Sequence, residues 1–429
     1  MKKLILLGLM IMPVFLSAEE FKLTVDDAVS MATENNITLA RNQISLKKLE
    51  LSEKNSWNSI SPSFGLSTTY SNTNNPITQE RANSLSASAS VRLTFTPALF
   101  TSIKTAKLNY LNGVISYVSA TRQIEMSVRK LFYSMLMEEE NMAMMERNME
   151  TAHQRYLMNL DKYNRGTLSE LNLLSSQVNY ENLKPNLESL TITHKANIEN
   201  FKQMLGLAVE DTIQLEGDLS DIYELGEINV EYKLDNLPAV ANLTRQKELA
   251  QMSLLSTKLS SYAPSLSLSV SDNISLYSNE KWMDGDSLKK NIENWSLSAS
   301  LSIPLDSWLP WSNGAMNITN QTNTITDLDL QIQDKKRSLQ TSIETSLAKI
   351  NQAKSQKESL ERSVTLAQKT YDMAVTSYNH GSMDIMTLQN YSDQLMSAKI
   401  NLQSQTFNLL SSVLDLEETL GLPFGTLGK

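Results

Sequence analysis

The chain has no cysteine, so neither a disulfide framework nor a lipid-bearing cysteine behind an export leader is available to it. Glycine (13) and proline (10) are both scarce for 429 residues, roughly half their usual share. The backbone therefore has few places at which to reverse, and long uninterrupted elements are expected. Histidine occurs at three positions only, His153, His194 and His380, and these lack the paired spacing of metal ligands. No Gly-rich phosphate loop, nucleophile elbow or His-Glu-x-x-His stretch occurs, so no catalytic constellation, metal or cofactor is expected. Basic residues (38) are outnumbered by acidic ones (47), net −9, with no Lys/Arg cluster; a chain of this kind does not track a phosphate backbone, and nucleic acid is excluded as a partner. Beyond the N-terminus no apolar run approaches the ~20 residues of a membrane-spanning helix.

What is present begins with a leader. Lys2 and Lys3 precede an apolar stretch from Leu4 to Leu16 and the small residues Ser17 and Ala18, which predicts a signal peptide over residues 1–18. An exported chain without a spanning helix ends either in solution or in a barrel.

The mature chain contains itself twice. Tyr163-Asn164-Arg165-Gly166 returns as Tyr378-Asn379-His380-Gly381, and Leu205-Gly206-Leu207 returns as Leu420-Gly421-Leu422, both at a separation of 215 residues. Before Gly166, Val114, Val128, Met135, Met142, Met149, Tyr156 and Tyr163 lie on a seven-residue ladder. Before Gly381 a second ladder runs through Ile318, Ile325, Ile332, Leu339, Ala353, Leu360, Ala367 and Ala374. That period is the coiled-coil period, and it imposes a left-handed supercoil on whatever packs beside it. The methionines between Met135 and Met149 read as flexible core filling rather than soft-metal ligands. The spacing predicts a first repeat over 19–207, with a helix from Asp26 to about Ser59, a β-hairpin over about 63–96, a long helix over about 101–163 and a return helix over 167–205. A connecting segment follows over 208–237. The second repeat, 238–429, has a helix over about 239–261, a hairpin over about 265–303, a long helix over about 315–378 and a return helix over 382–420. Glycine at 166 and 381 suits the left-handed residue that closes a helix.

Within each hairpin the period falls to two. Leu85, Ala87, Ala89, Val91, Leu93 and Phe95 alternate with Ser84, Ser86, Ser88, Ser90, Arg92 and Thr94. Phe64, Leu66 and Tyr70 oppose Ser63, Ser67, Thr69 and Ser71; Leu266, Leu268, Val270, Ile274 and Leu276 oppose Ser265, Ser267, Ser269, Ser271 and Ser275; Trp295, Leu297, Ala299, Leu301 and Ile303 oppose Ser296, Ser298, Ser300 and Ser302. Strands of about ten residues cross a bilayer when tilted. A serine face suits water, and Phe95, Phe100, Trp295, Trp308 and Trp311 suit the girdles that sit at lipid interfaces. Four such strands cannot close a barrel, whose smallest members have about eight; subunits must share the wall, as a dimer of eight strands or a trimer of twelve. The segments 73–83 and 279–293 are expected as outward-facing loops. An exported coiled-coil scaffold or adhesin without a pore is the rival reading, and it predicts a soluble rod where the first predicts an oligomer in lipid.

The doubled plan of helix, hairpin and helix, the Tyr-x-x-Gly turn in each half, and the Leu-Gly-Leu that ends each repeat together resemble the TolC-like outer-membrane efflux family over essentially the whole mature chain. The resemblance implies a mainly α fold with a β-hairpin pair: a homotrimer whose twelve strands form one transmembrane β-barrel, continued by a periplasmic α-helical barrel. It implies passive export through the outer membrane, in outer-membrane lipid, with a periplasmic adaptor and an inner-membrane transporter as partners. By resemblance the adaptor docks at the two turns, here Arg165-Gly166-Thr167 and His380-Gly381-Ser382. Several members carry valine before the glycine, whereas this chain has Arg165 and His380. Some narrow the tip with aspartates six and nine residues past the second glycine, where this chain has Thr387 and Asn390. Asp384, nearer the turn, is the alternative carboxylate there, with helix capping as its other role. Tyr163 and Tyr378 resemble aromatic residues of a closing network and also continue the ladders as packing residues.

Overall fold

In a computed structural model, residues 20–75, 80–217, 228, 230–278, 281–286 and 295–427 are described; the expected signal peptide, 1–18, lies outside them. The chain divides into two compact units. One comprises residues up to Arg41, Ser119–Glu231 and residues from Thr341; the other comprises Asn42–Val118 and Tyr232–Gln340.

The first unit opens with β1 (Glu20–Leu23) and α1 (Val25–Asn35). Thr24 and Asp27 form a reciprocal capping box, each side chain accepting from the other's amide at 3.3 and 3.2 Å. The single helix expected from Asp26 to about Ser59 breaks at Asn36, and α2 spans Ile37–Lys54. The cause is local: Asn36 Oδ1 accepts from the amides of Thr38 and Leu39 at 2.9 and 3.3 Å, starting a new helix, while its Nδ2 donates to the Met204 carbonyl at 2.9 Å. The long helix α3 is Ala98–Asn164, and the return helix α4 is Glu170–Leu205. In the connecting segment β4 (Thr212–Leu215) pairs in parallel with β1, Phe21 opposite Ile213. The core of this unit gathers Leu23, Ala28 and Ala32 against Val128, Phe132, Met135 and Leu136 of α3 and Phe201 and Leu205 of α4. Two ladder residues, Val128 and Met135, are fully buried there.

The second unit holds the sheet. Strands β2 (Ser63–Asn75), β3 (Glu80–Phe95), β5 (Ser265–Ser278) and β7 (Trp295–Ser302) lie in the order β2-β3-β5-β7, all antiparallel, and the two-residue β6 (Lys281–Trp282) also pairs with β5. The expected loop at 73–83 is shorter than that, because the β2–β3 ladder stays paired out to Asn75 and Glu80. The sequence alternation becomes two faces. On one, hydroxyls meet across strands: Ser67 with Ser88 at 2.7 Å, Ser269 with Ser298 at 2.7 Å and Ser271 with Ser296 at 3.0 Å. On the other, Phe64, Leu66, Leu297 and Leu301 are open to the surroundings, Leu66 at 84%. A register shift at Leu85/Ser86 sets Tyr277, not Leu276, opposite Leu85. Helix α5 (Pro238–Tyr262) precedes β5, α6 (Asn313–Asn379) follows β7, and α7 (Ile385–Leu420) closes the chain. Ladder residues Leu339 and Ala374 are buried on α6, at 7% and 2% exposure.

Candidate functional site: the two helical turns

Both Tyr-x-x-Gly turns belong to the first unit, and the sequence dictates their form. Gly166 and Gly381 take φ of 72° and 73°, with open space where a Cβ would stand. Glycine is therefore required by backbone angle and not by crowding. Each turn ends its helix in the same way. The Gly166 amide donates to the Tyr163 carbonyl at 2.8 Å and the Thr167 amide and hydroxyl both donate to the Lys162 carbonyl at 2.9 Å; Gly381 donates to Tyr378 at 3.0 Å, and Ser382 donates twice to Ser377, at 3.0 and 2.9 Å.

The return helices begin three residues later than the ladders predict, because Ser169 and Asp384 take the cap positions. Asp384 accepts from the Thr387 amide at 2.9 Å and from the Thr387 hydroxyl at 2.7 Å. That hydroxyl first, and the amide second, hold the Asp384 carboxyl below the usual carboxylate range. Arg165 is exposed and paired with Asp161 of the preceding turn at 2.9 Å, whereas His380 is exposed at the matching place. Asn390 is exposed.

Around the turns the helices are joined by polar side chains. Tyr378 donates its hydroxyl to Asn159 Oδ1 at 2.7 Å, with Lys162 Nζ 5.5 Å from the centre of its ring. One heptad away, Arg155 donates to the Tyr371 hydroxyl and lies 5.6 Å from that ring's centre. Gln389 of α7 donates to Asn179 of α4. Beneath them Ala374, Ile385 and Leu388 pack with Tyr371, Tyr378 and Tyr391. Tyr163, expected to continue the packed ladder, is 39% exposed; it sits in the last turn of α3, beyond the reach of this packing. A groove of about 560 Å³ runs between the two turns, lined by Lys162, Thr167, Asn172, Tyr378, Ser382 and Asp384 among others. Deeper along α7, burial pushes the Asp393 carboxyl up, with the Gln389 hydrogen bond opposing. Asn159 and Arg155 escaped the sequence reading. Asn159 is 1% exposed, and a buried amide leaves no mark on an apolar ladder.

Residues 235–422 match the family model for outer membrane efflux proteins, a span that contains the second turn. Over that span the chain is similar to outer membrane efflux proteins. It is 22% identical over 383 residues to the outer membrane protein TolC of Salmonella enteritidis, covering 84% of this chain and 74% of that one. The fold of the chain superposes on the transmembrane channel CusC with a TM-score of 0.77 at 14% identity, over 96% of each chain. On the CmeC outer membrane channel of Campylobacter jejuni the TM-score is 0.76 at 14% identity, over 92% of this chain and 85% of the other.

Proposed function

We propose that this protein is the outer-membrane channel subunit of a tripartite efflux or type I secretion assembly, a passive conduit from the periplasm and an inner-membrane pump to the exterior. One observation carries the reading. The sheet has an apolar face, a hydroxyl face and two long edges, β2 and β7, with no strand beside them among the described residues. In lipid an unpaired backbone amide or carbonyl costs several kcal/mol, so such edges persist only if other copies complete the ladder. β2 and β7 run in opposite directions, which suits an antiparallel joint, and four strands from each of three copies give an even, closed ring of twelve.

In this homotrimer the serine face lines a wet lumen and the apolar face meets outer-membrane lipid, with residues 1–18 removed on export. The turns Arg165-Gly166-Thr167 and His380-Gly381-Ser382 form the periplasmic docking surface for an adaptor protein. Tyr163, Tyr378, Asp384, Thr387 and Asn390 stand around the tip that narrows in the closed state. Energy comes from the inner-membrane transporter. Purified mature chain in planar bilayers tests the proposal: stepwise ion conductance from a detergent-solubilised oligomer is expected. A monomeric, lipid-free, non-conducting rod would leave the exported scaffold as the surviving reading.

A further inference from the structure

The hydroxyl face of the sheet carries one departure from its uncharged character. In the cross-strand row Ser63, Arg92, Ser269 and Ser298, the hydroxyls of Ser269 and Ser298 meet at 2.7 Å, so Arg92 stands on the side that the serines share. In the next row towards α3, Thr94 and Ser267 approach at 3.4 Å on the same face. From the row of Thr69 and Ser86 to that of Thr94 and Ser267, every other position on this face is serine, threonine, asparagine or glycine. The other charges of the four long strands lie elsewhere. Asp272 belongs to a row of the apolar face, and Glu80 and Arg81 open β3 at its far end, at least ~35 Å from Arg92 at the rise of a strand. The Arg92 carbonyl accepts from the Ser63 hydroxyl at 3.2 Å, while its side chain is exposed and makes no ion pair or hydrogen bond among the described residues. Arg92 is three residues from the end of β3, just before the chain turns into α3.

We infer that Arg92 sets the charge preference of the conduit: one from each of three copies, these arginines form a cationic ring where the barrel meets the helices, and the ring favours anionic solutes. The inference rests on the shared barrel of the preceding section and goes further, because it names the charge class of the solute and the side chain that discriminates. Twelve strands ~4.8 Å apart and tilted by ~40° enclose a backbone ring of roughly 12 Å radius. An arginine reaching inward from that ring brings its charge within ~8 Å of the axis, the distance over which charge is felt at physiological salt. A neighbouring copy does not neutralise it. The joint is made by β2 and β7, and neither strand contains a charged residue, so the next copy extends the row with uncharged side chains only. Rings of arginine or lysine stabilise an anion in a pore through the same field that opposes a cation.

The test is the ratio of chloride to potassium permeability, read from the reversal potential of full-length mature chain in planar bilayers under a potassium chloride gradient. The parent is expected to favour chloride by about fivefold, Arg92→Ser to lie nearer unity and Arg92→Glu to favour potassium. The chain's lack of cysteine supplies a second route in which the charge is added after assembly. Arg92→Cys is first incorporated as a conducting oligomer and then treated with a cationic or an anionic methanethiosulfonate; the cationic reagent should restore the parent's preference and the anionic one reverse it. A conducting parent that favours potassium, a ratio unchanged in Arg92→Glu, or an Arg92→Cys channel that neither reagent alters would each overturn the ring and leave the conduit standing. A parent that does not conduct would remove both.

Discussion

Tyr378 donates its hydroxyl to the buried Asn159 side chain at 2.7 Å, tying the end of α6 to the end of α3 next to both turns. A neutral hydrogen bond of this kind contributes about 1 kcal/mol, a factor of about five in a two-state ratio. If the tip closes by holding these helices together, Tyr378→Phe should raise the open fraction in single-channel recordings about fivefold while leaving the oligomer intact. An unchanged open fraction would place the closing contacts elsewhere.

The turns themselves make a separate prediction. With φ of 72° and 73° at Gly166 and Gly381, an alanine at either position must take a left-handed backbone at a cost of roughly 1–2 kcal/mol. Gly166→Ala and Gly381→Ala should therefore speed amide exchange in the turn that carries them and weaken capture of an adaptor, without altering conductance. Equal exchange in variant and parent would mean that the turn adapts without strain.

What the sequence made legible depended on repetition. The seven-residue ladders and the scarcity of glycine and proline announce α3 and α6, because a period repeated seven or eight times over is hard to mistake. The serine alternation announces β2, β3, β5 and β7 for the same reason. Single events were invisible. Asn36 splits α1 from α2 through two hydrogen bonds to the next helix's amides, and nothing in its neighbours' polarity signals that. The four-residue β1 and β4 are too short to show a period, and their parallel pairing joins residues almost two hundred positions apart. Asn159 stands three residues after the ladder residue Tyr156 and Arg155 one before it, where a polar side chain looks the same in sequence whether it meets a buried partner or water.

Asp384 yields a pH prediction. Its carboxylate, held below the ordinary range by the Thr387 hydroxyl and amide, caps α7. A depressed folded value means that the contribution is complete above the ordinary carboxylate pKa and is lost as pH falls through the lowered one. Exchange protection of the Thr387 amide should thus hold at neutral and mildly acidic pH and fall only in stronger acid. Asp384→Asn, which keeps an acceptor, should flatten that dependence, and Asp384→Ala should remove protection at every pH. Protection that survives in Asp384→Ala would show that the cap is dispensable.

Asp272 interrupts the apolar face of the sheet. It stands in the cross-strand row Leu66, Ala89, Asp272 and Trp295, and its buried Oδ1 has no hydrogen-bond partner. On a lipid-facing surface an acidic side chain costs less than a basic one but is still unfavourable. Asp272→Val should stabilise the oligomer by on the order of 1 kcal/mol, read as a higher unfolding temperature in detergent. A lower temperature would mean that the carboxylate has a partner outside this chain.

Glu417 is fully buried and accepts from the Gly425 and Leu427 amides at 2.9 and 2.8 Å, folding the residues after Gly421 back over the end of α7. Arg122 of α3 holds the same place from the other side, pairing with Glu418 at 3.1 Å and donating to the Leu422 carbonyl at 2.7 Å. Truncating Glu417 leaves two amides without an acceptor, whereas truncating Arg122 leaves carbonyls with lone pairs that water can reach. Glu417→Ala should cost roughly 2–3 kcal/mol and Arg122→Ala less, with the former exposing the segment after Gly421 to protease. If the two variants are equally stable in urea, the segment is held by Arg122 and the packing of Phe424, and the carboxylate only follows.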